Sequence, residues 1–376
     1  MIKIAVIGGD GVGPEVTEVG MNVMKAAAKI TGLSYEAEKL DISGSRYLAQ
    51  GGDPKKPSIP VITDEEIDSL RDYDAIYLGA VGHPSVAPGI IEQGLLLKLR
   101  FDLDQYVNLR PVKLLPGVTT PLAAKTSKEI DFVAVRENTE GLYCGQGGVM
   151  RKGTADEIST QIMISTRKGA ERTIRYAFDT AVRRKAEGYR GEVTLIHKTN
   201  VLTHCGSTWM NAFVEIGDAE YPEIVRNYHH VDACCMYMVT KPELYDVIVV
   251  PNMFGDIITD LGAAISGGMG MAASGNLNPD PNTRSVSMFE PIHGSAPDIA
   301  GQGKANPIAA IMSMAMLLTE TGRKLNDDTA IKTGDVIERA IAVVSAKFSG
   351  QPMDRLNATT DEIGHMVVEE IKERNL

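Results

Sequence analysis

Several features that mark other classes of protein are scarce in this sequence of 376 residues. Lys and Arg number 38 against 49 Asp and Glu, which gives a formal net charge of −11 at pH 7. Nucleic acids are bound through clustered Lys and Arg, so this balance argues against a nucleic-acid partner. No apolar run reaches the roughly 20 residues of a membrane helix, and the apolar start is too short for a signal peptide. We therefore expect a cytoplasmic protein with no membrane partner.

Cysteine is also scarce, with four residues that show neither CxxC spacing nor the His arrangement of a zinc site. The adjacent Cys234 and Cys235 are typical of small buried side chains in a reducing compartment, and we assign them no chemistry. Apolar residues make up 43% of the chain and no low-complexity tract occurs. The whole chain is expected to fold, and its length suffices for two domains.

Short β-rich runs alternate with helical patterns along the chain, which indicates an α/β protein. The runs lack strict alternation of apolar and polar residues, so we expect strands that are covered on both faces. These predicted strands cover residues 2–8, 74–81, 131–137, 193–197 and 245–251.

Three helices between these runs carry clear signals. Thr63 with Glu66 three residues later forms a capping box. Residues 167–187 place apolar side chains at the spacing of a single buried stripe. A third helix is bracketed by Asn306 as its N-cap and Gly322 as its stop, and it is apolar nearly all round. Polar connections are predicted at residues 48–60 and 267–285.

The motif GGDGVGPE at residues 8–15 follows the first predicted strand. A dinucleotide fingerprint G-x-G-x-x-G requires Gly where Pro14 stands, so a Rossmann site is disfavoured. The glycines form either a tight turn beside a ligand or a plain turn from strand to helix, and the sequence leaves both open.

Three arginines are candidates for binding an acidic substrate. Arg100 and Arg110 lie ten residues apart, and Arg136 ends an otherwise apolar strand. Guanidinium groups bind carboxylates in bidentate fashion and stay charged at any relevant pH, so a cluster of three would suit a di- or tricarboxylate. Each arginine alone is more often a surface or ion-pairing residue, and the prediction therefore depends on their convergence.

Lys198 follows the predicted strand at 193–197, at the carboxyl end where open α/β sheets bind ligands. A lysine there can act as a base when burial and neighbouring cations lower its pKa. An isolated lysine at a strand end more often points into solvent.

Asp256 and Asp260 lie four residues apart in PNMFGDIITDLGAA, on one face of a predicted helix. Stacked carboxylates indicate a helix N-terminus, a shared proton or a divalent cation. Asp256 is near the expected N-terminus, but Asp260 lies a turn beyond it. A hard cation such as Mg²⁺ would remove the repulsion, and Asp232 is a third candidate ligand.

The stretch EPIHGSAPDIAGQGKANP at residues 290–307 predicts a structured binding loop. An acidic residue such as Asp298 could accept hydrogen bonds from the two hydroxyl groups of an adenosine ribose. It would repel a 2′-phosphate, which favours NAD over NADP.

Taken together, the chain resembles the β-decarboxylating dehydrogenases, the family of isopropylmalate, isocitrate, homoisocitrate, tartrate and D-malate dehydrogenases. The most specific matches are NLRPVKL, VRENTEGLY, HKTN, NMFGDIITDL and FEPIHGSAPDIAG. They follow the order of the family and span most of the chain.

The resemblance implies a role for each matching residue. Arg100, Arg110 and Arg136 would bind the malate carboxylates. Tyr143 would protonate the enol after CO₂ leaves, and Lys198 would assist removal of the hydroxyl proton. Mg²⁺ or Mn²⁺ would be bound by Asp256, Asp260 and Asp232, the last from the partner subunit. The implied NAD site comprises Asn200 near the nicotinamide together with Glu290, His293, Gly294, Ser295, Ala296, Asp298 and Asn306.

The segment before Arg100 is expected to select the substrate. Isocitrate enzymes carry Ser and Asn there for a third carboxylate, whereas Leu96 and its two leucine neighbours offer apolar surface. The segment GLLLKLRF and the stretch HKTNVLT resemble isopropylmalate dehydrogenases of actinobacterial type. The Glu that faces the nicotinamide in such enzymes is matched by Gln93 or Glu92. The resemblance thus implies NAD-dependent oxidative decarboxylation of (2R,3S)-3-isopropylmalate to 2-oxoisocaproate in leucine biosynthesis.

Other functions stay open at this point. Within the enzyme class, the chain could be a D-malate or tartrate dehydrogenase, or act on another 3-substituted malate. Outside it, a non-catalytic regulatory subunit is the alternative, although such subunits tend to lose the Tyr, Lys or metal carboxylates that this chain keeps.

The family also implies an isopropylmalate dehydrogenase-like two-domain α/β fold with a largely parallel sheet. Residues 1–106 and 267–376 would form the large domain on the cofactor side. Residues 107–266 would form a smaller α/β domain that carries the dimer interface, with an arm at about 139–162 that pairs with its counterpart. The active unit would be a homodimer with shared active sites.

Overall fold

The computed structural model describes residues 1–351 and 356–374, which fold into two compact units. Unit 2 comprises Tyr106–Val112 and Lys128–Gly262, and unit 1 comprises the described residues on either side together with Lys113–Ser127. The chain therefore leaves unit 1 twice, before Tyr106 and before Lys128, and returns to it each time. The structure differs from the predicted ranges chiefly at Lys113–Ser127, which group with unit 1 although the range 107–266 includes them. That the units act as cofactor and dimerisation domains stays a prediction.

The strands are short and mostly buried. In chain order they are β1 (Ile2–Gly9), β2 (Tyr35–Lys39), β3 (Ala75–Ala80), β4 (Val107–Lys113), β5 (Asp131–Glu137), β6 (Gly147–Met150), β7 (Ile158–Gln161), β8 (Glu192–His197), β9 (Val225–His230), β10 (Val247–Val250), β11 (Ala273–Leu277) and β12 (Ser287–Pro291). All five predicted strands are present, and their bounds differ from the prediction by a few residues at most.

The α-helices separate these strands. In chain order they are α1 (Gly13–Thr31), α2 (Gly44–Ala49), α3 (Asp64–Leu70), α4 (Lys98–Asp102), α5 (Arg167–Ala186), α6 (Thr203–Glu220), α7 (Val231–Thr240), α8 (Asn252–Ile265), α9 (Ile308–Leu325), α10 (Asp328–Lys347) and α11 (Thr360–Arg374). A π-helical segment, Glu92–Leu97, leads directly into α4.

Unit 1 contains five strands in the order β2-β1-β3-β12-β11. β1 pairs in parallel with β2 and β3, β12 pairs in parallel with β3, and β11 is antiparallel to β12. The apolar helix α9 is buried along most of its length, and the Tyr77 hydroxyl of β3 donates to the Ala310 carbonyl at 2.8 Å. This burial agrees with a sequence that is apolar nearly all round.

Unit 2 contains the order β4-β5-β10-β8-β9, in which β10 pairs in parallel with both β5 and β8, and β8 with β9. Every residue of β10 is fully buried, as its uninterrupted apolar run predicts. Helix α5 buries Ile174, Ala177 and Phe178 as expected, but Val182 is 46% exposed and does not belong to the buried stripe. The α/β prediction with a largely parallel sheet is confirmed.

Local capping signals are accurate in one helix and misleading in another. Thr63 Oγ1 accepts from the Glu66 amide at 3.2 Å, and Glu66 Oε2 accepts from the Thr63 amide at 2.8 Å, so the capping box is confirmed. The predicted stop at Gly322 is wrong, because α9 continues to Leu325 and ends at Asn326 in the left-handed conformation. A Cβ at position 322 would lie 2.9 Å from the Asp327 carbonyl oxygen, so this glycine permits a close approach instead.

Two further expectations concern connections and membranes. The stretch 267–285 is only partly irregular, because it contains strand β11 and a short 3₁₀ turn at Met269–Met271. Among the residues that the structure describes, no helix combines the length and the hydropathy required to cross a bilayer.

Candidate active site

Arg136 and Asp256 meet where two neighbouring strands of unit 2 end. Arg136 is the penultimate residue of β5, and Asp256 is in α8, which begins just after β10. Arg136 Nη1 donates to Asp256 Oδ1 at 2.6 Å. Arg136 is only 1% exposed, whereas the Asp256 side chain is 40% exposed. A fully buried cation thus holds a carboxylate that is still open to a ligand.

Tyr143 joins the same carboxylate from the other side. Its hydroxyl donates to Asp256 Oδ2 at 2.7 Å, and the Arg136 guanidinium carbon lies 5.4 Å from the centre of the Tyr143 ring. Burial, followed by the hydrogen bond to Asp256, raises the pKa of the Tyr143 hydroxyl above its usual value. Tyr143 therefore stays protonated near neutral pH and can act as a proton donor.

The first turn of α8 is shaped to accept the arginine. A Cβ at Gly255 would lie 2.4 Å from Cγ of Arg136, so a side chain there would push the arginine away. Asn252, at the start of α8, accepts from Arg136 Nη2 through Oδ1 at 2.8 Å and from Nε through its carbonyl at 2.9 Å. The residues between Pro251 and Asp256 thus form the first turn of α8 and also hold the Arg136 side chain.

The carboxylates of α8 fit a hard divalent cation. Asp260 is exposed one helical turn after Asp256, and two oxygen ligands on one helix face are typical of Mg²⁺ or Mn²⁺ sites that also bind substrate. Asp232 does not join them within one chain, because it pairs with Lys198. Within residues 1–351 and 356–374, no group of three His, Cys, Asp or Glu side chains gathers around one metal position.

Lys198 lies directly after β8, where the sequence predicts it. Its Nζ donates to Asp232 Oδ1 at 2.6 Å, and this hydrogen bond lowers the pKa of the Asp232 carboxyl. The following Thr199 is held by Tyr228, whose hydroxyl accepts from the Thr199 amide at 3.2 Å. Asn200, predicted near the nicotinamide, is exposed at the end of this turn. The strand end therefore presents Lys198 on a fixed turn.

Arg110 is the second predicted substrate arginine in unit 2. It lies in β4, next to β5, and its Nε donates to Asn108 Oδ1 at 3.0 Å. Arg110 and Asn108 are both buried. Adjacent strands of unit 2 thus carry Arg110 and Arg136, and an asparagine orients each of them.

Arg100 belongs to unit 1, in the short helix α4. Its Nη2 donates to Glu290 Oε1 at 3.2 Å, and Asn276 Nδ2 donates to the same oxygen at 2.8 Å. Glu290, predicted as a cofactor residue, is therefore the ion-pair partner of Arg100. Leu96, in the π-helical segment before α4, is half-buried, whereas Leu95 is fully buried in the core. π-Helical turns often occur at functional positions.

The glycine-rich turn after β1 packs against the loop at residues 290–307 in unit 1. The Val12 amide donates to the Ser295 carbonyl at 2.8 Å, and a Cβ at Gly11 would lie 1.8 Å from the same oxygen. Buried Asp10 accepts from the amides of Gly44 and Gly82 at 2.8 and 3.2 Å. The turn thus supports the loop that contains the predicted cofactor residues.

His293 is the clearest sign of a ligand in that loop. Its Nδ1 donates to the Gly294 carbonyl at 3.0 Å, and its buried Nε2 has no hydrogen-bond partner among the described residues. Burial lowers the pKa of His293, so Nε2 is an acceptor that suits a donor such as the amino group of adenine. Asp298 is exposed, and Asn306 Oδ1 accepts from the Ile308 amide at 3.0 Å. Gly294 and Ala296 are exposed, and Ser295 is half-buried.

Two residues of unit 2 were missing from the sequence prediction. Asn252 lies in the same motif as Asp256 and Asp260. A single Asn after Pro is typical of a turn, so its sequence context gives no sign of a contact to Arg136. His197 ends the apolar run of β8 and is fully buried, with its ring 5.9 Å from that of Phe254. Its Nδ1 accepts from the Lys198 amide at 2.9 Å. Two sequence signals point to His197: its position at the end of the apolar run of β8, and its place at the start of the motif HKTN.

The chain was compared with known families and proteins. The family model described as isocitrate/isopropylmalate dehydrogenase matches residues 3–367. The 3-isopropylmalate dehydrogenase of Thermobifida fusca is 51% identical over 85% of this chain and 86% of its own length. That of Corynebacterium glutamicum (strain R) is 48% identical over 99% of this chain and 100% of its own.

The fold has solved counterparts. The crystal structure of isocitrate dehydrogenase from Methylococcus capsulatus superposes with a TM-score of 0.82 at 34% identity and covers 99% of this chain and 100% of that one. The TT0538 protein from Thermus thermophilus gives a TM-score of 0.79 at 31% identity, covering 98% of this chain and 68% of that one. These similarities confirm the predicted fold.

The buried His197 predicts a pH dependence of stability. Burial lowers its pKa from 6.5 to about 4, so between these values the unfolded chain binds a proton that the folded chain does not. The free energy of unfolding should therefore fall by about 3 kcal/mol from this group as the pH decreases from 6.5 to 4. We expect the His197→Asn variant, which keeps an acceptor but cannot titrate, to show a smaller decrease in urea unfolding over that range.

The exposed His365, whose side chain is 73% accessible, provides the control. His365→Asn should leave the pH dependence of unfolding as it is in the parent protein. If His197→Asn and His365→Asn unfold with the same pH dependence, the burial effect assigned to His197 is wrong.

Proposed function

Because the chain belongs to the isocitrate/isopropylmalate dehydrogenase family of decarboxylating dehydrogenases, we propose that it is an NAD-dependent, divalent-metal-dependent 3-isopropylmalate dehydrogenase. It would convert (2R,3S)-3-isopropylmalate to 2-oxoisocaproate in leucine biosynthesis. The observation that supports this chemistry most directly is the Asp256 carboxylate, which Arg136 and Tyr143 hold from two sides. The Asp256 carboxylate, a candidate metal ligand, thus contacts both a cation that can bind an anion and a hydroxyl group that can donate a proton.

The choice of substrate depends on the segment before Arg100. Leu96 is half-buried against the apolar core of unit 1 and offers a hydrocarbon surface. A hydrocarbon surface favours an isopropyl substituent over a third carboxylate, whose desolvation would have no compensating partner there. The similar proteins of Thermobifida fusca and Corynebacterium glutamicum, which are 3-isopropylmalate dehydrogenases, support this choice.

The arginines would bind the malate core. Arg110 and Arg136 present guanidinium groups from adjacent strands of unit 2, and each can take a carboxylate through two parallel hydrogen bonds. Arg100 keeps its predicted role of binding a carboxylate. Asn108, Asn252 and Glu290 limit the orientations of these side chains and so lower the entropy that is lost on binding.

Two residues would move protons. Tyr143, whose raised pKa keeps it protonated, would donate its hydroxyl proton to the carbon that loses CO₂. Lys198 would assist removal of the proton from the substrate hydroxyl, with Asp232 holding its ammonium group at 2.6 Å.

The metal ion and the dinucleotide have candidate ligands in the chain. Asp256 and Asp260, with Asp232 of the partner subunit, would hold Mg²⁺ or Mn²⁺. The loop with His293, Gly294, Ser295 and Asp298 would hold NAD, and the unpartnered Nε2 of His293 supports that fit. When bound, NAD accepts a hydride and the divalent ion polarises the 2-oxo group during decarboxylation.

We further propose a homodimer in which each subunit contributes Lys198 and Asp232 to the site of the other. Within the described part of one chain, Asp232 pairs with Lys198 and is not gathered with the carboxylates of α8. Several large apolar side chains of unit 2 are exposed, among them Val201 at 66%, Met236 at 54% and Ile257 at 53%. A second copy would remove exposed apolar side chains of this kind from water. The exposed hairpin of β6 and β7 would form the dimerisation arm.

Steady-state kinetics with four substrates test the assignment. With NAD and Mg²⁺ or Mn²⁺ present, we expect the highest kcat/KM for 3-isopropylmalate because the segment at Leu96 is apolar, and much lower values for D-malate, tartrate and isocitrate. The measurement follows NADH absorbance. A higher kcat/KM for D-malate or tartrate would reassign the substrate within the family. Activity with none of the four would favour a non-catalytic subunit.

Asp256→Asn tests the metal site. The substitution removes the negative charge that a divalent ion needs, so we expect loss of metal-dependent turnover and of Mn²⁺ binding measured by isothermal titration calorimetry. The fold should persist, because Arg136 keeps its contacts to Asn252. The control is Asp218→Asn, which removes a surface carboxylate paired with Arg226. Unchanged Mn²⁺ affinity in Asp256→Asn would remove the metal assignment.

Mixing two inactive variants tests the shared site. Lys198→Met and Asp256→Asn should each be inactive as homodimers, because every site lacks one essential group. After subunit exchange, a hybrid dimer would contain one complete site, and random assortment predicts about a quarter of the parent activity. The readout is NADH formation as a function of mixing ratio. A mixture as inactive as its components would mean that Lys198 and Asp256 serve the same site within one chain.

A further inference from the structure

We propose that Asn252 is a positioning residue that fixes the guanidinium group of Arg136 for the substrate without adding negative charge to it. The inference rests on the proposed function, in which Arg136 binds a carboxylate of the substrate. It assigns a role to a residue that lies outside the predicted set of catalytic, substrate, metal and cofactor residues.

Three hydrogen bonds connect Asn252 to one edge of the guanidinium. Arg136 Nη2 donates to Asn252 Oδ1 at 2.8 Å, and Arg136 Nε donates to the Asn252 carbonyl at 2.9 Å and to Oδ1 at 3.2 Å. Both residues are buried, with exposed fractions of 1% for Arg136 and 2% for Asn252. A buried planar group held along its Nε–Nη2 edge has one orientation, so the position of the remaining Nη1 is fixed as well.

Asn252 also reaches the segment that carries the proton donor. Its Nδ2 donates to the Glu140 carbonyl at 3.1 Å, three residues before Tyr143. The next residue, Gly141, has a φ of +77°, and a Cβ there would lie 3.4 Å from Cβ of Asn252. One amide side chain therefore sets the distance between the arginine and the turn that leads to Tyr143.

The neutrality of the amide matters because the substrate is an anion. Asp256 already places one carboxylate on Arg136, and a second carboxylate at position 252 would compete with the substrate for the same cation. The arrangement recurs at Arg110, whose Nε donates to the amide oxygen of buried Asn108. An asparagine orients each of the two predicted substrate arginines of unit 2, at a place where a carboxylate would bind arginine more strongly. We infer that neutrality at these positions serves substrate binding.

The comparison of Asn252→Asp with Asn252→Ala separates this role from a structural one. Both variants lose the donor to Glu140, but Asp keeps an acceptor for Arg136 and adds a charge. We expect Asn252→Asp to unfold at a higher temperature than Asn252→Ala, because its carboxylate pairs with a buried cation. Despite that, the KM and the dissociation constant of 3-isopropylmalate should rise by about tenfold or more in Asn252→Asp. The KM for NAD should stay within about twofold of the parent value.

Thr259→Val is the matched control on the same helix. Thr259 is buried, and its hydroxyl bonds the Gly255 carbonyl within α8, so its loss disturbs the helix without removing a contact to Arg136. Thr259→Val should leave the KM for 3-isopropylmalate unchanged. If Asn252→Asp keeps the parent affinity for the substrate, or if its KM values for substrate and NAD rise together, the proposal is wrong.

Kinetics of the parent protein with the four substrates distinguish failure of this inference from failure of the proposed function. If the parent prefers D-malate, tartrate or isocitrate, the substrate assignment fails. The variants are then assayed with the preferred substrate, because all four substrates share the malate carboxylates. If the parent turns over none of them, dissociation constants for D-malate measured by calorimetry take the place of KM. A loss of affinity that is present in Asn252→Ala and larger in Asn252→Asp supports the role of Asn252 in each case.

Discussion

The buried guanidinium group of Arg136 is the constraint on which the candidate site of unit 2 depends. A charge that is almost completely removed from water needs partners on all sides, because leaving it unpaired costs on the order of 3 to 5 kcal/mol. Asn252 supplies neutral oxygens, Asp256 supplies a carboxylate, and Gly255 supplies the space for the arginine side chain. The start of α8 is therefore fixed by the end of β5. Through Asp256, the same arginine also fixes the position of the Tyr143 hydroxyl.

Unit 1 also contains a buried arginine whose charge needs a partner. Arg100 is buried in α4 and pairs with Glu290, whose carboxylate Asn276 also holds. Glu290 balances the charge of Arg100 within unit 1, as Asp256 balances that of Arg136 within unit 2, and amide oxygens additionally accept from Nε of Arg110 and Arg136. The sequence motif FEPIHGSAPDIAG therefore contains residues with separate tasks. Glu290 near the end of β12 pairs with an arginine, while His293 three residues later has a buried ring nitrogen that no described residue contacts by a hydrogen bond.

Contacts between residues that are close in the sequence could be predicted, whereas contacts between distant residues could not. The capping box of Thr63 and Glu66 spans three residues, and the strand β10 is marked by its own apolar run, so both were predictable. Gly322 was misread because its neighbour Asp327 belongs to the turn before the next helix. Family motifs placed Arg136, Tyr143 and Asp256 in one list. Their hydrogen bonds join residues 113 to 120 positions apart, and only the folded chain shows which atoms meet.

The same contacts explain why two aspartates can be stacked on α8. Repulsion between like charges one turn apart is weak when one carboxylate is neutralised and the other is in water. Asp256 has a cation and a hydroxyl donor within 2.7 Å, and Asp260 is exposed, so the two carboxylates repel each other only weakly. The contacts of Asp256 and the exposure of Asp260 therefore allow both aspartates to lie on one face of α8, where both side chains stay accessible from solvent.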